Sequence, residues 1–158
     1  MQARLYILDD ITSYNPQTNI LTDIFIRSVK RLNPALADLE CSQLLDKIIG
    51  ILNNDDLGKE FYTMLSSNSG VKLIDLADAN NNEWHVATEF TCENVESGDS
   101  FRPDITCLIN GLHLAFIEVK KPNNHDGILA ERDRINKRMR NKSLRRFINL
   151  TQLMIFFQ

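Results

Sequence analysis

Glycine and proline are scarce, six and four in 158 residues, and neither a low-complexity tract nor an internal repeat occurs. Together with 25% charged and 43% hydrophobic residues, this excludes collagen-like and disordered chains and predicts one domain around one ordinary core. Only three cysteines are present, Cys41, Cys92 and Cys107, and no two stand in a C-x-x-C spacing. That excludes a disulfide framework and a zinc ribbon, leaving reduced, packed thiols as the expectation. No apolar run approaches the roughly 20 residues of a membrane span, and Met1-Gln2-Ala3-Arg4 does not open a signal peptide. The expected setting is cytoplasmic, with no membrane partner.

Several chemistries are missing as well. The chain has no G-x-S-x-G elbow, no Gly-rich dinucleotide fingerprint and no H-E-x-x-H, and His85, His113 and His125 are scattered. His113 follows a turn and reads as an exposed strand residue rather than a base. A G-x-x-x-x-G-K-[ST] loop is also absent, so these residues cannot hydrolyse ATP through a P-loop.

What is present divides the chain in two. Leu21, Ile24, Phe25, Val29 and Leu32 recur at three- and four-residue intervals and predict a helix over 18–32. Leu44, Leu45, Ile48, Ile49 and Leu52 predict a second, with Ser42 as its cap; Leu57, Phe61, Met64 and Leu65 predict a third after the Asn53–Asp56 break. From there the pattern turns β-like. Residues 71–76 read as a strand and 78–82 as a turn; Trp84, Val86, Thr88, Phe90 and Cys92 alternate as one face of the next strand, and 93–100 reads as a mobile loop. Beyond Pro122-Asn123-Asn124 a basic helix is expected over 127–147, then a strand over 153–157. Net charge is −3, yet residues 131–146 hold eight basic and two acidic residues, so one stretch carries +6 and the remainder −9. Either a solvated helix face or a phosphate-contacting surface accounts for that run, with Arg132, Arg134, Lys137 and Arg138 as the candidate contacts.

The most telling segment is Phe101-Arg102-Pro103-Asp104, followed fourteen residues later by Glu118-Val119-Lys120 in an apolar run. Residues 105–109 and 115–119 read as strands of a hairpin turning at Asn110-Gly111. Period-two alternation puts Glu118 and Lys120 on one face, and a charged pair in a core-like strand needs a reason such as a bound cation. Asp104 can join them only if parity allows. A two-residue turn sets it opposite Ile117, on the wrong face, whereas a three-residue loop with Gly111 left-handed adds the residue that brings it round. A bulged three-residue loop is therefore the expectation.

Proline-aspartate, a spacer, then glutamate-x-lysine resembles the PD-(D/E)XK nuclease superfamily. The neighbouring words Val71-Lys72-Leu73-Ile74-Asp75, Asn81-Asn82-Glu83-Trp84, Arg102-Pro103-Asp104-Ile105, Asn110-Gly111-Leu112 and Ile117-Glu118-Val119-Lys120-Lys121-Pro122 resemble the N-terminal endonuclease region of the R (motor) subunit of type I restriction enzymes. The resemblance implies an α+β fold of the restriction-endonuclease type: a mixed central sheet flanked by helices, with a helical part over about 17–66 and a catalytic core over about 71–158. It implies a nuclease domain within a longer chain whose ATP-dependent motor lies beyond residue 158. The implied chemistry is phosphodiester hydrolysis in double-stranded DNA with Mg2+, for which Mn2+ substitutes. Asp104 and Glu118 would be ligands, the Val119 carbonyl would join them, and Lys120 would orient water or stabilise the transition state. Glu89 and Glu60 are candidates for a third acidic ligand. The implied partners are the modification and specificity subunits. The alternatives are a non-catalytic DNA-binding or docking domain of the same fold, or a stand-alone nuclease of the superfamily. In one respect the chain departs from related helicase-linked nucleases, which carry a glutamine and a tyrosine four residues apart on the helix after the lysine strand; this one offers Asp133 with Lys137, or Arg134 with Arg138.

Overall fold

Alternating apolar residues in the second half and helical stripes in the first assemble into one mixed sheet with helices packed on it. The structure, a computed structural model, describes residues 5–7, 14–15, 18–67, 70–93, 100–120 and 127–157. The strands are β1 (Leu5–Ile7), β2 (Tyr14–Asn15), β3 (Ile20–Leu21), β4 (Trp84–Thr88), β5 (Cys92–Glu93), β6 (Ser100–Phe101), β7 (Ile105–Ile109), β8 (Leu112–Val119) and β9 (Leu153–Phe157). The helices are α1 (Thr22–Leu32), α2 (Asp38–Ile51), α3 (Lys59–Ser66), α4 (Gly127–Met139) and α5 (Arg145–Leu150). The sheet runs β1-β4-β7-β8-β3-β2, with β9 also on β8, while β5 and β6 form a separate ribbon. β1 on β4 and β9 on β8 are parallel, and the other pairs are antiparallel. This is the α+β, restriction-endonuclease-like architecture expected. Among the described residues no helix is long and apolar enough to cross a membrane.

One face of the sheet is covered. Ala87, Leu108 and Phe116 lie under Leu21 at the end of β3 and Ile24 in the first turn of α1, and under Ile135, Phe147 and Ile148 from α4 and α5. Phe101 meets Phe116 and Phe147 edge to face at 5.3 and 5.2 Å, a favourable quadrupole arrangement. A second cluster joins Phe25 and Val29 to Ile48, Leu52, Phe61 and Leu73 beside the start of β8. Among the described residues the opposite face is open. Ile105, Cys107, Ala115 and Ile117 are only half-buried there, and Leu153 and Phe157 on β9 are 54% and 64% exposed.

Several expectations are corrected. The first helix begins at Thr22, because Ile20 and Leu21 are drawn into the sheet opposite Leu112 and Tyr14. α2 starts at Asp38 rather than Ser42, and its first turn is held by the Glu40 carboxylate accepting the Ala37 N–H at 2.8 Å. Residues 71–76 are not a strand. Asparagine side chains take the place of a neighbouring strand: Asn33 bonds the N–H and carbonyl of Lys72, Asn110 the Leu73 carbonyl, and Asn82 the N–H and carbonyl of Asp75, at 2.8–2.9 Å. The strand at Trp84 stops at Thr88, since Glu89 is left-handed (φ 52°) and shifts the alternation by one residue. His85 and Ala87 therefore face inward before it, and Phe90 and Cys92 after it. Residues 94–99 of the expected loop lie outside the described residues, while Glu93 and Ser100 pair across β5–β6. The basic helix ends at Met139, and Asn141, whose side chain accepts the Ser143 N–H, starts the 3-10 turn that leads into α5.

His113 is buried, not exposed. Its ring stacks on Phe147 at 4.3 Å, with Nδ1 2.8 Å from the Asn19 carbonyl and Nε2 3.2 Å from that of Phe147. Burial outweighs the two carbonyls and pulls its pKa down to about 4.

Two outcomes follow. Gly111 has φ +81°, and a Cβ there would lie 2.6 Å from the Leu21 carbonyl oxygen and 2.8 Å from the Phe25 nitrogen. Gly111→Ala should cost more than about 2 kcal/mol in urea unfolding, since strain and backbone clash add. The second concerns acid. Between an unfolded pKa near 6.5 and the folded value of about 4, the unfolded chain binds the His113 proton and the folded one does not. Stability should fall as pH drops through that window. His113→Gln should remove this part of the slope in urea midpoints measured at pH 7 and 4.5, leaving the same-signed contribution of His85, whose burial also lowers its pKa.

Candidate metal and phosphate site

The site is built on the β7–β8 hairpin. Asn110 and Gly111 both have positive φ (53° and 81°) and form a two-residue turn joining Ile109 directly to Leu112. That geometry is type I′, which matches the twist of the flanking strands. The extra residue is therefore not in the loop. It lies in β8, where Leu108 pairs with His113 but Cys107 pairs with Ala115, leaving Leu114 as the bulge. Beyond it Ile105 faces Ile117, so the next step sets Asp104 across from Glu118. Parity is restored at a different place from the one expected.

The contacts agree with that register. Asp104 Oδ2 accepts the Val119 N–H at 2.7 Å, from the very peptide bond that joins Glu118 to Val119. Glu118 points to the covered face, is 5% exposed, and receives a hydrogen bond from Lys120 Nζ at 3.2 Å. Without such a partner a carboxylate at that depth would be strongly unfavourable. Lys120 is itself held by its N–H, which donates to the Phe157 carbonyl on β9 at 2.8 Å. Asp104 is exposed, and its own carbonyl accepts the Glu89 N–H at 3.1 Å. Exposed and buried carboxylates thus sit side by side at the end of the sheet, with an ammonium on the buried one.

The other candidates fall at different distances from this centre. Glu89 stands beside Asp104 in the sheet, since Thr88 pairs with Ile105, but its carboxylate is mostly exposed and pairs with Arg102 at 3.7 Å. Glu60 is at the start of α3, where it accepts from Asn54. Among the described residues no three His, Cys, Asp or Glu side chains gather as a ready cation site. On α4, Ile135 and Met139 face the core, Arg134 and Lys137 are exposed, and Arg132, two residues from Arg134, projects from nearly the opposite side. Arg138 behaves differently from these. Its guanidinium lies 4.2 Å over the Phe101 ring, close to the Asp104 segment. The sequence reading missed that pairing and the Arg102–Glu89 pair; an aromatic residue three positions before Asp104 was the available signal.

Residues 8–158 match the family model for the type I restriction enzyme R protein N terminus. A protein of Methanocaldococcus jannaschii described as "Putative type I restriction enzyme MjaIXP endonuclease subunit" is 34% identical over a 123-residue alignment that covers 67% of this chain. The match spans only 12% of that relative's length.

Proposed function

The chain belongs to the family of type I restriction enzyme R protein N termini, and from that premise we propose that it is a metal-dependent DNA endonuclease domain, hydrolysing phosphodiesters at Asp104, Glu118 and Lys120. The observation that carries this reading is the Asp104 contact to the Val119 amide at 2.7 Å, one residue from the Glu118–Lys120 pair at 3.2 Å. The donor chemistry suits Mg2+, or Mn2+ in its place: hard oxygens, with one or two carboxylates leaving room for water and phosphate. Asp104, Glu118 and the Val119 carbonyl would hold the ion, and Glu89 would join them on leaving Arg102. When bound, the ion polarises the phosphoryl group and acidifies water.

The chain's own residues supply the rest. Lys120, steadied by Glu118, sets a compact positive charge where the phosphoryl oxygens gain negative charge, and orients the attacking water. The Val119 N–H keeps the Asp104 carboxylate beside Glu118 without the need for a side-chain partner. Arg134 and Lys137, with Arg132 from the other flank of α4, meet the backbone of double-stranded DNA. ATP-driven translocation by a motor, and assembly with modification and specificity subunits, belong to a longer protein of the kind this chain matches. One observation favours a second reading, a non-catalytic DNA-binding or docking module: both carboxylates already have protein partners, so the arrangement is satisfied without a cation.

Supercoiled plasmid with the domain and Mg2+ or Mn2+ separates the two readings. Asp104→Ala and Lys120→Ala should each lower nicking by about 100-fold or more, and only Asp104→Ala should abolish Mn2+ binding. Equal nicking by all three proteins sinks the nuclease assignment; absence of Asp104-dependent Mn2+ binding supports the docking module. In DNA binding, Arg134→Gln and Lys137→Gln should each reduce the slope of log affinity against log salt by about 1.

A further inference from the structure

The four candidate cations of α4 are not equivalent. Arg132, Arg134 and Lys137 are exposed, but Arg138 is half-buried with its guanidinium carbon over the ring of Phe101, a residue that is 1% exposed. Phe101 is a junction. Its edge contact with Phe116 reaches the inner face of β8 two residues before Glu118, and its backbone runs through Arg102 and buried Pro103 into Asp104. Proline fixes φ, so little of a displacement at Phe101 can be absorbed before Asp104. The carbonyl of Asp104 is also tied to the Glu89 N–H, which closes the segment against β4.

We propose that Arg138 is a positioning residue: through the Phe101 ring it braces the two strand ends that carry Asp104 and Glu118, and so couples the DNA-facing helix α4 to the cation site without touching phosphate itself. The inference rests on the nuclease reading above and gives α4 two tasks, phosphate contact by Arg134 and Lys137 and alignment of the carboxylates by Arg138. A guanidinium suits the second task, since its plane stacks on an aromatic face while a lysine ammonium offers only a point charge. DNA docking on the exposed side of α4 then presses on the aromatic layer beneath the carboxylates.

The sign of one effect separates alignment from plain electrostatics. Removing a nearby positive charge would by itself tighten binding of a cation, whereas loss of a brace loosens it. Arg138→Met retains packing volume and removes the charge; Arg138→Lys retains the charge on a poorer stacking group. The measurements are Mn2+ titration by electron paramagnetic resonance, the salt slope of DNA binding, and thermal midpoints, with Asp104→Ala as control. Arg138→Met should weaken Asp104-dependent Mn2+ binding about fivefold and leave the salt slope unchanged, with Arg138→Lys in between. A slope reduced by about 1 with Mn2+ affinity unchanged would make Arg138 another phosphate contact and overturn the proposal. Tightened Mn2+ binding, or a lowered thermal midpoint with both other readouts unchanged, would overturn it too. Mn2+ binding that is absent from the wild type, or that survives Asp104→Ala, brings down the cation site itself. That failure registers in the control rather than in the Arg138 variants.

Discussion

A hairpin with a two-residue turn has a strict consequence: each residue on one strand faces a fixed partner on the other, and every side chain's face follows. In this chain the consequence is suspended once, at Leu114, where β8 carries one residue more than β7. Without the bulge, Asp104 would face Ile117 and turn away from Glu118. With it, the carboxylate bonds the amide next to Glu118. The bulge also lets His113 and Leu114 both be buried, one against Phe147 and the other beside the α2 cluster. One inserted residue thus serves the polar end of the hairpin and the apolar packing at its base.

That base is pinned by polar groups in unusual number. Asn110 has no measurable exposure, and its side chain accepts from the Glu83 N–H and donates to the Leu73 carbonyl and to Asn82. Asp75 accepts from the Asn81 side chain and from the N–H groups of Asp78 and Ala77, which hold its carboxyl below the usual carboxylate range. The turn, the irregular stretch over 71–76 and the start of β4 are thereby one hydrogen-bonded unit. In such a unit full satisfaction rigidifies, and removing one partner leaves others buried without bonds.

How far the sequence could be read depends on whether the signal was local. Helical stripes in 22–66, the strand at 153–157 and the nearness of Asp104, Glu118 and Lys120 all follow from periodicity and parity. Parity demands the extra residue of the hairpin but does not locate it, because Asn-Gly suits either turn and nothing near Leu114 advertises a bulge. Residues 71–76 look like a strand by composition; the asparagines that satisfy them come from positions as distant as Asn33 and Asn110. Glu89 in a left-handed conformation is equally silent, since a non-glycine residue gives no warning of positive φ. His113 looked exposed because a turn precedes it, and only the arrival of α5 covers it. The roles of the polar residues are implied by family resemblance and not by spacing.

The strand β9 has one neighbour among the described residues, β8, and its outward side chains stand in water. Edge strands of that kind open before the rest of a domain, at a fraction of the global unfolding free energy. The main chain of Lys120 is fastened to Phe157, the last residue of that strand. Fraying at this margin would therefore loosen the backbone beneath the ammonium and that of Glu118, which pairs with Phe156, while the Asp104 backbone kept its bond to Glu89 on the far side. Of the three polar groups, the glutamate and the lysine lean on this margin and the aspartate does not.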